Sequence, residues 1–355
     1  MNSQPWDVLV VGLGPGGGAA AAAAAESGAR VLAFDRKKQV GEPVQCAEFI
    51  PMALGRYAGG AGVLQQRIAG MKSILPSGAV EDSPYRGLMV DRAAFDRALA
   101  TRAAGAGAEL RLGWTLEGLD PVRRIASVRD GRSRRELAFR ILIAADGPNS
   151  RVARLLGLPA QRVVHSRQYL VPLLKPLQET TIWLSPAYPG GYAWLFPRGE
   201  TANLGVGIDF EFSRDLRHPL DELHGQLVAA GVVGAEIRRR TGGAIPVGGM
   251  RERLVLGDVL FVGDAAGLTH PITGAGISAA VLSGEEAGTA AARRVAGKSG
   301  ALEDYDETIR ELFGPTIERA LRTRESLNWM WKTPAAALDD SQRRGWVAFE
   351  EYFAF

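Results

Sequence analysis

The sequence predicts an α/β protein: a Rossmann-like dinucleotide-binding domain with an inserted antiparallel β-sheet domain and a C-terminal helical segment. Three observations carry that reading. Residues 6 to 35 run strand, glycine-rich turn, helix, strand, acid. Two further apolar strands, far apart in the chain, end in the acid-bearing turns Asp146-Gly147 and Gly263-Asp264. Between those turns, residues 163 to 210 are rich in short strands.

Val8 to Val11 is the continuous apolar run that a buried parallel strand requires. Gly12, Gly14, Pro15 and Gly17 then make a G-x-G-x-x-G turn into a helix built from Ala19 to Ala25. Gly12 permits the tight turn, Gly14 the approach of a pyrophosphate, and Gly17 the close seating of helix on strand. The helix start offers unpaired N–H groups to phosphate oxygens. Val31 to Phe34 is a second strand, and Asp35 at its end stands where a carboxylate holds ribose hydroxyls.

Residues 36 to 48 are broken by Gly41 and Pro43 and read as a loop. Short strands are expected over 71–90 around the turn Pro76-Ser77-Gly78, and Asp91 caps a helix from Arg92 to about Ala104. Strands follow near 109–112, 122–128, 136–139 and 141–145, with Asp130-Gly131 turning a hairpin. After the strand-rich middle and a helix over 220–230, Gly242 to Gly248 returns the chain to the first domain. A strand at 259–262 and a long small-residue helix, opened by Pro271 to Ile277 and running to about Val295, complete that domain. Helices over 302–313 and 317–331 and an aromatic tail, Trp346 to Phe355, end the chain. The expected division is 1–70, 88–160 and 241–300 for the dinucleotide domain, 71–87 and 161–240 for the sheet domain, and 301–355 for the helical segment. The tail either packs or dips into an interface.

Composition narrows the chemistry. The 355 residues suit about two domains. One cysteine, Cys46, excludes an internal disulfide and a cysteine-ligated iron–sulfur cluster, and the four histidines show no zinc-type spacing, so no metal is expected. A net charge of +3 is a mild basic bias. The arginines of the 123–140 hairpin have no interleaved aromatics, so they read as a solvated face and no nucleic-acid partner is expected. No signal peptide precedes the first strand and no apolar run reaches spanning length, which gives a cytoplasmic expectation with contact to a membrane surface left open.

A long cofactor spanning a sheet edge uses several strand-end acids. Asp35, Asp146 and Gly263-Asp264, with the helix opening at Pro271, Gly274, Ala275, Gly276 and Ile277, therefore favour FAD over NAD. In this order they resemble the para-hydroxybenzoate hydroxylase-type FAD fold. Within it, Gly41-Glu-Pro43-Val44-Gln-Cys46-Ala-Glu48, Pro189-Gly-Gly-Tyr192-Ala-Trp194-Leu-Phe196-Pro197 and Gly263-Asp264 through Ile277 resemble the geranylgeranyl reductase family. The resemblance spans roughly residues 5 to 300. It implies reduction of isoprenoid carbon–carbon double bonds of a prenyl lipid or prenyl diphosphate by reduced FAD, with NAD(P)H or ferredoxin as electron donor. It also implies Arg36 and Arg92 as further FAD contacts, a place near the flavin for Cys46, and a lipid pocket lined by Tyr192, Trp194 and Phe196.

Those three aromatics share one strand face by period-two alternation, and Cys46 and Tyr192 are the candidate proton donors. His270, beside Pro271 in the same loop, is expected to be structural. Two alternatives stay open. Gly191 to Pro197 also resembles the G-W-x-W-x-I-P element of tryptophan halogenases, departing from it at Tyr192 and Phe196, so a flavin monooxygenase or halogenase acting on an aromatic, including a protein-borne tryptophan, is one. A prenyl-lipid or quinone binding protein is the other.

Overall fold

The computed structural model describes residues 4–354. At its centre is an eight-stranded sheet ordered Val255–Leu256, Val259–Phe261, Ser133–Ala144, Trp6–Val11, Val31–Asp35 and Glu109–Leu112, with Ile125–Asp130 and Trp114–Asp120 extending the long strand. Pairings around Trp6–Val11 are parallel, Val10 lying opposite Ile143 on one side and Ala33 on the other. Val8, Leu9 and Val10 are wholly buried, as a strand covered on both faces must be. The first helix, Pro15–Glu26, packs against Ile277–Val295 through glycines and alanines.

A second sheet of seven strands is ordered Arg239–Pro246, Val163–Pro172, Thr201–Ile208, Tyr192–Arg198, Glu179–Trp183, Gly70–Ile74 and Val80–Ser83. It is antiparallel except where Glu179–Trp183 meets Gly70–Ile74. Helix Arg217–Ala229 covers one face, its Leu220 and Leu223 packing with Val171, Leu204 and Val206. The other face turns toward the first domain. A three-stranded sheet, Phe49–Pro51, Gly87–Val90 and Leu64–Ile68, lies between the two.

Four expectations are corrected. Gly242 to Gly248, expected to return the chain to the dinucleotide domain, begins inside the strand Arg239–Pro246, which pairs with Val163–Pro172 through eight residues and completes the edge of the second sheet before the chain crosses back. The strand expected at 122–128 is displaced: Val122 is exposed in a turn between Trp114–Asp120 and Ile125–Asp130. Residues 136–139 and 141–144 belong to one strand, Ser133–Ala144, that passes through Arg140, whose guanidinium reaches Asp7 and the carbonyl of Val295 at the surface. The two helices expected on either side of Gly314-Pro315 form one helix, Ala301–Ser326. Proline inside a helix costs about 3 kcal/mol, and burial of Leu302, Tyr305 and Ile309 before it and Ile317 and Ala320 after it offsets that cost.

The tail packs. Trp346, Phe349 and Tyr352 are buried, and Phe355 lies outside the described residues. No helix among the described residues is long and apolar enough to cross a membrane.

Candidate active site

The glycine turn has the shape its sequence requires. Gly12 sits at φ +101°, and a Cβ there would strike the carbonyl of Ala145. A Cβ on Gly17 would strike the carbonyl of Gly12. Beside Gly14, by contrast, an added Cβ meets nothing within 4 Å. The backbone is thus tight on both flanks of the turn and open at its middle, above a helix start whose first N–H groups lack helical acceptors. Asp35 accepts from the N–H of Leu13 at 2.8 Å and of Lys37 at 2.9 Å, which aims its carboxylate along the turn with acceptor positions to spare. Arg36 is exposed beside it.

The other two acids differ from each other. Asp146 accepts from the hydroxyl of Ser150 (2.6 Å) and the N–H groups of Arg151 (2.6 Å) and Val152 (3.0 Å), so it chiefly caps the helix Arg151–Leu155. Asp264 accepts from the Thr269 hydroxyl at 2.7 Å and lies 3.0 Å from where a Cβ on Gly276 would stand. Burial raises its carboxyl pKa above the ordinary value. The turn from His270 to Ile277 is shaped by His270, whose Nδ1 accepts from the N–H groups of Ile272 and Thr273, both at 3.3 Å. Burial holds that imidazole neutral, its pKa lowered to about 4. Gly274 takes φ +68°.

Across from this turn stands the aromatic strand. Tyr192, Trp194 and Phe196 point to one face, with ring centroids 5.7 Å and 6.5 Å apart. The Tyr192 hydroxyl donates to the carbonyl of Thr273 at 2.5 Å, tying the strand to the turn. Burial raises its pKa far above the ordinary value, so the hydroxyl keeps its proton. The row continues in both directions: Phe196 to Phe49 (6.0 Å) and Phe49 on to Tyr85 (6.1 Å) on one side, Tyr192 to Trp346 of the tail (4.8 Å) on the other.

The cysteine loop lies against the same face. Thr241 donates its hydroxyl to the carbonyl of Val44 (2.7 Å), Gln45 its amide to Gly242 (2.7 Å), Gln168 to Cys46 (3.0 Å) and Asn203 to Ala47 (3.1 Å). The indole N–H of Trp194 donates to the other end of Gln168 at 3.0 Å, so one amide spans the loop and the aromatic strand. The thiol of Cys46 accepts from the N–H of Glu48 at 3.2 Å, and burial raises its pKa, keeping it protonated. Arg92 opens the helix Arg92–Gly105, its guanidinium held by Asp96 at 3.1 and 3.2 Å and its charge acting on Cys46.

Sequence reasoning did not find Gln168, Asn203 or Trp346. Gln168 and Trp346 touch the aromatic row directly; nothing in its local pattern marks Gln168, and Trp346 is visible in sequence only as the start of the aromatic tail. Glu48 was visible inside the cysteine motif, without a role.

The open middle of the glycine turn, an acid at the end of the second strand, and a further acid and glycine turn on the last strand fit a cofactor with an adenosine diphosphate half and a second ring system. The fold and site define an FAD-dependent oxidoreductase. A family model described as the geranylgeranyl reductase catalytic domain matches residues 168–229. Digeranylgeranylglycerophospholipid reductase 1 of Methanopyrus kandleri is 36% identical over 340 residues, covering 91% of this chain and 90% of its own. A geranylgeranyl bacteriochlorophyll reductase-like protein of Thermoplasma acidophilum superposes with a TM-score of 0.83 at 25% identity, over 94% of this chain and 92% of its own. CmlS, a flavin-dependent halogenase, shares the fold at a TM-score of 0.75 and 17% identity, over 99% of this chain and 72% of its own. The chain belongs to the geranylgeranyl reductase family.

Proposed function

We propose that this protein saturates isoprenoid carbon–carbon double bonds of a prenyl lipid of the digeranylgeranylglycerophospholipid kind, or of a prenyl diphosphate, with FAD as the resident cofactor and NAD(P)H or ferredoxin as the electron source. The observation that carries the reading is the aromatic face of Tyr192–Arg198, directed at both the cysteine loop and the turn 270–277. Gly12, Gly14, Pro15, Gly17, Asp35 and Arg36 would hold the adenosine diphosphate half. Asp264, Pro271, Gly274, Ala275, Gly276 and Ile277 would hold the remainder, with Arg92 and Cys46 beside it and Asp146 supporting from its helix cap.

FAD, once bound and reduced, supplies hydride. An isolated alkene has no carbonyl to take up charge, so hydride reaching one carbon must be matched by a proton reaching the other. Tyr192 already gives its hydrogen bond to Thr273, whereas the Cys46 thiol accepts one and keeps its own proton. Cys46 is the better placed donor of the two. Trp194 and Phe196 exclude water and hold the chain, supplying orientation.

Dithionite-reduced protein incubated anaerobically with geranylgeranyl diphosphate and with digeranylgeranylglycerol phospholipid should yield products heavier by whole hydrogen pairs. Cys46→Ala should lose most turnover while retaining FAD. Unchanged mass with every prenyl substrate, together with oxygen-dependent modification of an aromatic, would replace this reading with the monooxygenase one.

A further inference from the structure

Glu48 is a wholly enclosed carboxylate two residues past Cys46, with its backbone at φ +70°, a left-handed conformation uncommon outside glycine. Its side chain gathers donors from separate elements. Oε1 accepts from the backbone N–H of Arg92 at 3.0 Å, and Oε2 from Arg198 Nη1 at 3.0 Å and Asn203 Nδ2 at 2.8 Å. Arg239 stands 3.9 Å away. Its backbone N–H donates to Cys46 Sγ, and its carbonyl accepts from Val90 at 2.9 Å. One residue therefore joins the thiol, the start of the Arg92 helix, and two strands of the inserted sheet.

We propose that Glu48 is a positioning residue for the reduction: it fixes the Cys46 thiol relative to Arg92 and the aromatic strand, so that proton donor and pocket wall stay in register. An enclosed carboxylate is tolerated only when paired and hydrogen-bonded, and here the pairing supplies the force that keeps Glu48 in its left-handed backbone. Arg198, itself 9% exposed, is shared with Asp91 at 3.2 Å, and Asp91 caps the Arg92 helix through Ala94. Removing the Glu48 charge leaves Arg198 leaning toward Asp91 and frees the loop.

The proposal rests on the reductase reading for its kinetic arm only. Cys46 is the sole cysteine of the chain, so thiol labelling reports on one site. In FAD-loaded protein, Glu48→Gln should raise the rate of Cys46 alkylation by iodoacetamide at pH 8 by about tenfold and lower kcat by about tenfold, with KM and bound FAD nearly unchanged. Asn203→Ala, which removes one donor and leaves the ion pair, should move both readouts the same way by a smaller factor, and it serves if Glu48→Gln does not fold. Alkylation at the wild-type rate in both variants, or turnover that falls only in proportion to lost FAD, would overturn the proposal. Should the wild type saturate no prenyl substrate, the labelling rates still decide it.

Discussion

In the dinucleotide domain the first helix and Ile277–Val295 meet backbone to backbone: a Cβ on Gly284 would run into the carbonyl of Gly16, and one on Gly288 into that of Ala20. Two glycines elsewhere in the molecule lie under rings instead. A Cβ on Gly205 of the inserted sheet would strike the indole of Trp194, and one on Gly87 of the three-stranded sheet the ring of Phe49. The first kind of glycine holds two helices together, and the second is a slot that sets where an aromatic side chain lies. The difference separates residues on which folding depends from residues on which the shape of the pocket depends.

Replacing one of each kind tests that separation. The largest effect should come from Gly288→Val, which forces the helix seam apart; overpacking a core costs about 3 kcal/mol, with more expected where backbone blocks relaxation, and the urea midpoint should fall accordingly. Gly205→Ala should lower that midpoint less than Gly288→Val does and keep FAD bound, yet displace the Trp194 ring, lowering kcat/KM for a prenyl substrate by up to about a hundredfold. If Gly205→Ala unfolds the protein as Gly288→Val does, the distinction fails.

The smallest effect concerns pH. His270 has a pKa of about 4 in the fold against an ordinary value of 6.5. A base with a lowered folded pKa contributes stability that is complete above pH 6.5 and is lost as pH falls toward 4. Protonation would also set an N–H against the N–H groups of Ile272 and Thr273. His270→Asn should therefore show a shallower fall in thermal midpoint between pH 6.5 and 4 than the wild type. Parallel curves would remove His270 as the source of that acid sensitivity.

The dinucleotide turn was legible because its determinants lie within 30 residues and act through backbone geometry: glycines at fixed spacing, an apolar strand, an acid at the next strand end. Tyr192, Trp194 and Phe196 were legible as a face because period-two alternation is local. What they touch was not. Gln168 reaches Cys46 across 122 positions and Asn203 reaches Glu48 across 155, and pairings at that range leave no periodic trace. The place of Arg239–Pro246 in the second sheet is hidden for a related reason: a Gly-Gly-Ala stretch has little side chain to declare which edge it completes. Pro315 misled because local helix penalties are visible in sequence, and the burial that overrides them is not.

The seam between Pro15–Glu26 and Ile277–Val295 has a consequence for biosynthesis. The chain's opening βα unit emerges from the ribosome early, but the helix that covers it is made last among the elements of that domain. Until translation passes Val295, a strip of glycine and alanine on the nascent chain has no partner, while the sheet of residues 163–246 already holds most of its own strands. The nucleotide cradle can therefore close only after the strands of the inserted sheet have been made.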